Sequence, residues 1–347
     1  GHHRVQPCRR HPRRKSNRMG LRNAYIKETL RESLLREYGL RAEEAQPVSG
    51  GWLNEKWKIA SGGETWLVKR FSAHRYDALK LQRLERALSR QADLFALGAP
   101  CPRILRCQNR PLCFLPDGTA YMVMAFLPGR TLPPEQVTEE QMASLGEACG
   151  RIHRAFDRLE PRAYREEEAV WRANPPVALL RGHFAARTAE KMDGAPPAYR
   201  QAVRAQLPLL GQDLEGLFSG VPCGMAHEDF TSDNVLFLPG QVSAVVDFDR
   251  NQFGCRWHDV GRALLSFALE GEHLSKEKVR AFCAGYARHV PFSLADAARA
   301  LRIAWCIEAP WWVQRACFEA DQGKATRFRD EILWVGAHWF ELEEQIC

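Results

Sequence analysis

Met225–Arg250 reads MAHEDFTSDNVLFLPGQVSAVVDFDR, in which three polar clusters interrupt two short apolar runs. The first cluster is His227, Glu228 and Asp229. Asn234 follows five residues after that aspartate, then comes the strand-like VLFL, a Pro239-Gly240 turn, and SAVV leading into Asp247. Two β-rich runs around a Gly-containing connection predict a hairpin. A hairpin returns its far end beside its start, so Asp229, Asn234 and Asp247 are expected to converge at one end of it. One carboxylate is then available to accept a hydroxyl proton, while an amide oxygen and a second carboxylate are hard oxygen ligands of the kind Mg²⁺ takes. Such a set suffices for phosphoryl transfer, where positioning and charge neutralisation supply most of the catalysis. An isolated His-x-Asp carries little, because Asp and Asn form turns that need no metal. The spacing of the whole set across the hairpin carries the reading.

His-x-Asp, four residues, Asn, then a hydrophobic strand into Asp resembles the catalytic and metal loops of the aminoglycoside phosphotransferase and choline kinase superfamily, which is related in fold to protein kinases. The resemblance implies ATP and Mg²⁺ as cofactors, Asp229 as the base, and Asn234 and Asp247 as the metal ligands, with His227 in support. Most members have glycine where this chain has Glu228, so a negative charge is added beside the expected base. Asp259, near the start of the helical HDVGRALLSFAL, resembles a family aspartate that hydrogen-bonds the catalytic loop. From the residues alone it reads equally as a charge at a helix N-terminus. Asp249, two residues past Asp247, alternates to the same face of an extended chain. It is a candidate for a second Mg²⁺, or a carboxylate paired with Arg250.

Upstream, residues 23–38 place Tyr25, Ile26, Leu30, Leu34, Leu35 and Tyr38 at helical spacing, and Gly39 stops the pattern. Next comes VSGGWLNEKWKI, a polar turn at Ser49, Gly50 and Gly51 between two strands, then a second turn at Ser61-Gly62-Gly63 and the strand TWLVKRF. Glycines at a hairpin tip let backbone N–H groups approach phosphates. Lys69 sits within the apolar strand and matches the strand lysine that holds the α- and β-phosphates in kinase-like folds. The following helix, roughly residues 76–97, offers Glu85 as the lysine's partner by resemblance, or as a solvated charge. The strand AYMVMAFLPG exits through Met124, Ala125 and Phe126, which resemble the hinge whose backbone pairs with adenine. The same strand reads equally as an ordinary sheet edge, with a break at Pro128-Gly129. His153, ending the helix that follows, is expected to be structural.

The chain of 347 residues is long enough for two lobes, and its net charge of +7 is confined to one end. Residues 1–19 carry Arg4, Arg9, Arg10, Arg13, Arg14, Lys15 and Arg18 without an acidic residue, and the rest balances. This arm, too poor in apolar residues to fold alone, is expected to be a leader or remnant before Met19, and no nucleic-acid partner is expected. No apolar run approaches a membrane span. Eleven cysteines, odd in number and without C-x-x-C spacing, argue against a disulfide framework and fit a cytoplasmic protein. Cys101, Cys107 and Cys113 recur every six residues but lack a fourth zinc ligand.

The expected architecture is α+β and bilobal, protein-kinase-like. A nucleotide-binding lobe over residues 20–125 has a five-stranded antiparallel sheet and a helix, and a mostly helical catalytic and acceptor-binding lobe spans 126–347. The expected function is transfer of the γ-phosphate of ATP to a hydroxyl of a small molecule, by a monomer or homodimer. The acceptor is read as homoserine-, choline- or aminoglycoside-like, with a small hydroxylated metabolite first. A protein Ser/Thr kinase is the alternative, although no activation segment with Ala-Pro-Glu follows Asp247. A scaffold without turnover would have lost Asp229, Asn234 or Lys69, and all three are present. Glu308, Trp311 and Trp312 flank the helix-breaking Pro310 and are the candidate acceptor site. A core role for the tryptophans competes with that reading.

Overall fold

The computed structural model describes residues 26–48, 54–189, 192–319 and 323–347. Ser49, Gly50 and Gly51, expected over the phosphates, lie outside them, as does the basic arm. The chain divides into two compact units. One comprises the described residues up to Leu81 together with Ile104–Phe126, and the other Gln82–Arg103 and Leu127–Cys347.

The first unit is a five-stranded antiparallel sheet in the order β1-β2-β3-β5-β4, with strands Ala45–Pro47 (β1), Asn54–Ser61 (β2), Glu64–Phe71 (β3), Cys113–Phe114 (β4) and Ala120–Ala125 (β5). Gly62 and Gly63 both take left-handed φ, which the tight turn between β2 and β3 requires and an L side chain resists. Alternation along β3 puts Trp66 and Val68 into a core with Leu30 and Leu34 of helix α1 (Glu28–Tyr38). Gly39, at φ +67°, ends that helix. Lys69 is on the opposite parity, 91% removed from solvent, with Nζ 5.2 Å from the Phe71 ring centre. Cys107 and Cys113 bring their sulfurs to 3.2 Å, with Glu37 beside Cys107, while Cys101 belongs to the other unit.

The boundary between the units falls within helix α2 (Ala78–Ala96) rather than after it. Residues 82–103, placed in the nucleotide lobe by the sequence reading, group with the C-terminal unit. The reason is Arg90. Its guanidinium donates to Asn251 Oδ1 at 2.7 Å, to the Asn251 carbonyl at 3.0 Å and to the Ala163 carbonyl at 2.9 Å. Asn251 in turn donates to the Ala87 carbonyl at 2.9 Å. Local periodicity predicts the helix but not these partners, which are distant in sequence.

The second unit is mostly helical. Helix α3 (Glu139–Phe156) opens with a capping box at Thr138 and Gln141, and packs on α5 (Lys276–Ala287) with backbones nearly touching. A Cβ at Gly146 would overlap the Phe282 carbonyl, and one at Gly285 the Ala143 carbonyl, so the approach depends on both glycines. Helix α4 (Arg256–Ala268) is buried along its whole length and lies against α6 (Leu294–Trp312) through Gly261, where a Cβ would overlap the Ala300 carbonyl. Two short antiparallel pairs complete the unit: β6 (Cys223–Ala226) with β9 (Gln252–Cys255), and β7 (Val235–Leu238) with β8 (Gln241–Val245). Among the described residues no helix is long and apolar enough to cross a membrane.

Candidate active site

Strand β6 delivers the chain into His227-Glu228-Asp229, a single turn at Ser232–Asn234 starts β7, and β8 ends just before Val246-Asp247. The register pairs Val235 with Val245, and Val246 donates to the Asn234 carbonyl at 2.8 Å. The hairpin therefore brings Asn234 and the Asp247 segment side by side.

Asp229 is fixed through its own loop. Asn234 Nδ2 donates to the Asp229 carbonyl at 2.8 Å and to its Oδ2 at 3.0 Å. Among the described residues Asn234 Oδ1 has no protein donor. His227 donates from Nε2 to the Val246 carbonyl at 2.9 Å and accepts the Asp229 N–H at Nδ1 at 3.1 Å. A carbonyl can only accept and an N–H only donate, so the ring is neutral and carries its proton on Nε2. Its edges meet Phe230 and Phe248 at centroid distances of 5.5 and 4.6 Å. His227 thus ties the loop to the β8 end.

Asp259, on the first turn of α4, holds this loop from below. Oδ2 accepts from the His227 N–H at 2.8 Å and from His153 Nε2 at 2.8 Å, and Oδ1 accepts from the Glu228 N–H at 2.9 Å. Burial by itself would raise its carboxyl; the His153 bond and the backbone donors overcome this and hold it at about 2. His153 donates to Asp259 and accepts from Tyr286 Oη at 2.8 Å, and burial keeps it neutral by lowering its pKa.

Asp247 is exposed, with φ +58°, and among the described residues its carboxylate has no hydrogen-bond or ion-pair partner. Left-handed φ at a residue with a Cβ is backbone strain, which persists where surrounding structure enforces it and clusters at functional sites. The same conformation removes the extended alternation that the Asp249 expectation assumes. Strand β8 ends at Val245, Asp247 turns left-handed and Asp249 begins a turn, so no extended alternation carries Asp249 to the face of Asp247.

Glu228 is the second strained residue, at φ +68°. That torsion is the one a glycine adopts without cost. The Glu228 carboxylate meets His258 Nδ1 at 3.3 Å, and His258 Nε2 meets Glu308 Oε2 at 2.9 Å. Glu308 Oε1 also accepts from Arg262 at 2.7 Å and from Trp312 Nε1 at 3.1 Å, and Arg262 reaches on to Glu331. Glu308 is therefore enclosed by donors of its own and does not face a cleft, contrary to its sequence-based placement in the acceptor site. Trp312 points back to Glu308. Trp311 alone of the three is open, 67% exposed, and shares a pocket with Glu228. Pro310 does not break its helix, which runs on to Trp312.

The buried chain has a definite charge state. Burial would lower the His258 pKa, but carboxylates on both ring nitrogens carry it up to about 10, so it is an imidazolium at neutral pH. Burial raises the Glu228 carboxyl, whereas Arg262 and His258 hold Glu308 down at about 2. Because the folded value of His258 lies above its ordinary 6.5, its stabilising contribution is complete below that pH and is lost as pH rises from 6.5 through about 10. The melting temperature is expected to fall over that window in the parent and to be lower but flatter in H258Q. Parallel slopes in thermal melts would refute the assignment.

Sequence reasoning missed His258, Arg262 and the walls of the pocket. One signal was present: α4 is an apolar helix into which His258, Asp259 and Arg262 intrude, all buried. Of the nucleotide-side candidates, Lys69 is buried on β3, Glu85 is half-buried on α2, Met124 and Ala125 end β5, and Phe126 follows with Lys58 Nζ 4.5 Å from its ring centre.

The sequence profile of the phosphotransferase enzyme family matches residues 44–292, and this chain belongs to that family. Among curated relatives, a homoserine kinase of Rhodopseudomonas palustris is 30% identical over 217 residues, 61% of this chain and 61% of that protein. A homoserine kinase of Bradyrhizobium is 27% identical over 212 residues, with the same coverage of each. The chain thus spans about three-fifths of the length of the curated relatives it matches. Among solved structures, an amicoumacin kinase in complex with AMP-PNP, Ca²⁺ and Ami aligns with a TM-score of 0.61 at 16% identity, over 91% of this chain and 95% of the other. A choline/ethanolamine kinase family protein of Mesorhizobium loti gives 0.58 at 14% identity, over 90% and 94%. At such identities the likeness establishes the α+β kinase-like fold.

Proposed function

We propose that this chain is an ATP- and Mg²⁺-dependent kinase that phosphorylates a hydroxyl of a small molecule. The observation that carries the reading is the arrangement at the hairpin end. Asp229 and Asn234 are locked together in a loop hung on Asp259, while Asn234 Oδ1 and the Asp247 carboxylate have no protein donor among the described residues. These two hard oxygens fit Mg²⁺. Bound there, the cation would neutralise phosphate charge.

Asp229 accepts the proton of the acceptor hydroxyl, and Asn234 Nδ2 holds its Oδ2 so that the carboxylate cannot swing away. Lys69 of the N-terminal unit is the proposed ligand of the α- and β-phosphates, and Glu85, on α2, is its proposed partner. Ser49, Gly50 and Gly51 are the proposed phosphate turn, and Met124, Ala125 and Phe126 the proposed adenine edge. The homoserine kinase relatives favour a small hydroxylated metabolite as acceptor over an aminoglycoside.

The test is ADP release over the water background with a panel of hydroxyl acceptors at varied Mg²⁺. Asp247→Ala is expected to weaken Mg²⁺-dependent nucleotide binding by about tenfold or more. Unchanged Mg²⁺ dependence in that variant would remove Asp247 from the metal site. A panel that never exceeds the water background would remove the kinase reading.

A further inference from the structure

The Glu228 side chain occupies a position where a glycine is expected, in a left-handed conformation that strains a residue with a Cβ. Its carboxylate does not serve the loop: the Glu228 bond to Asp259 is made by the backbone N–H. Oε2 is directed to His258. Oε1 lies 2.6 Å from the point where a Cβ on Gly254 would stand, so the bare backbone of β9 makes room for it. Among the described residues no protein donor reaches Oε1.

Glu228 lines a pocket of about 310 Å³. Trp171, Leu179, Phe253 and Trp311 supply apolar and aromatic walls, and Asn174, His183 and Gln252 add polar groups. The volume is at the small end for ligand sites, which suits a compact metabolite rather than an oligosaccharide. Glu228 is also the chain neighbour of Asp229, so whatever it binds is held next to the proposed base.

The charges around it are otherwise matched. His258 gives one N–H to Glu228 and the other to Glu308, and Glu308 takes Arg262 as well. A carboxylate oxygen left without a donor in an apolar pocket calls for a donor from the ligand. Phe253 already carries the Arg172 guanidinium 5.4 Å from its ring centre, whereas Trp311 is open, and an open aromatic face favours a cation over a neutral hydroxyl or amide.

We infer that Glu228 is the specificity-determining residue for the acceptor: its Oε1 receives the ammonium group of a compact amino alcohol in the pocket walled by Trp171, Phe253 and Trp311. His258 and Glu308 act through it as positioning residues: His258 holds Oε2, and Glu308 holds His258. The inference rests on the kinase reading only for the purpose of the pocket; binding of the amine does not depend on turnover.

The experiment compares matched probes that differ in the amine alone: 3-amino-1-propanol with 1-butanol, and L-homoserine with 4-hydroxybutanoate. Binding is followed by calorimetry and phosphate transfer by ADP release, with the full-length chain. For at least one pair the parent is expected to prefer the amine by about tenfold or more. Glu228→Gln is expected to collapse that preference to within about threefold, through Kd and KM rather than kcat. Trp311 is exposed, so Trp311→Ala keeps the fold and serves as a second variant, expected to reduce the preference by about fivefold. Equal binding of both members of each pair, no binding of any probe, or a preference untouched by both variants would overturn the inference. Amine-selective, Glu228-dependent binding without phosphate transfer would keep the pocket and remove the kinase reading. Transfer without amine preference would do the reverse.

Discussion

Asp229→Asn is expected to lower kcat by about a hundredfold or more while leaving nucleotide affinity and melting temperature near those of the parent. The substituted amide keeps the shape of the side chain, and its oxygen can still accept from Asn234 Nδ2, which in the parent lies 3.0 Å from Oδ2. The backbone bonds are untouched, because the Asp229 carbonyl and N–H pair with Asn234 and His227 whatever the side chain. Only the capacity to take a proton from the acceptor hydroxyl is removed. Turnover measured with the best acceptor of the panel, alongside calorimetric ADP binding, decides it. Turnover within about fivefold of the parent, or loss of nucleotide binding with residual turnover unchanged, would contradict the role.

Asp259→Ala is expected to be the most destabilising single change at the site. It leaves the His227 and Glu228 N–H groups and His153 without their acceptor in a buried region. Breaking a buried charged cluster from one side costs about 3–5 kcal/mol, which corresponds to a melting temperature lower by about 6–10 °C in a unit of this size. The pH dependence has a definite sign. With the folded carboxyl held at about 2, below its ordinary 3.8, the contribution is complete above 3.8 and is lost as pH falls from there through 2. The parent should lose stability over that acid window, and Asp259→Asn should show a shallower limb. A loss below about 0.5 kcal/mol in Asp259→Ala would mean that the loop is held by something else.

The sequence by itself determined the hairpin, and with it the meeting of Asn234 and the Asp247 segment. Alternation, the Pro239-Gly240 turn and residue spacing are local, and a hairpin's register follows from its turn. It also determined the antiparallel sheet around Lys69, and the support role of Asp259 through its likeness to a family pattern. Only the tertiary structure decided the torsion of Asp247, which ends the extended alternation toward Asp249. Local propensity favours an extended chain there, and the structure has φ +58° instead. The fate of Glu228 was likewise illegible. Its partner His258 is thirty residues away and Glu308 a further fifty, and nothing in local pattern couples two helices that meet through Gly261. The same long-range pairing explains why Glu308 proved enclosed while Trp311, its neighbour by three positions, stands open. Residues three apart lie within about 60° of each other around a helix, so helical spacing alone gives the two one face; what separates them is that Glu308 meets His258 and Arg262 of α4, while Trp311 sits in the last turn of α6 and opens to solvent.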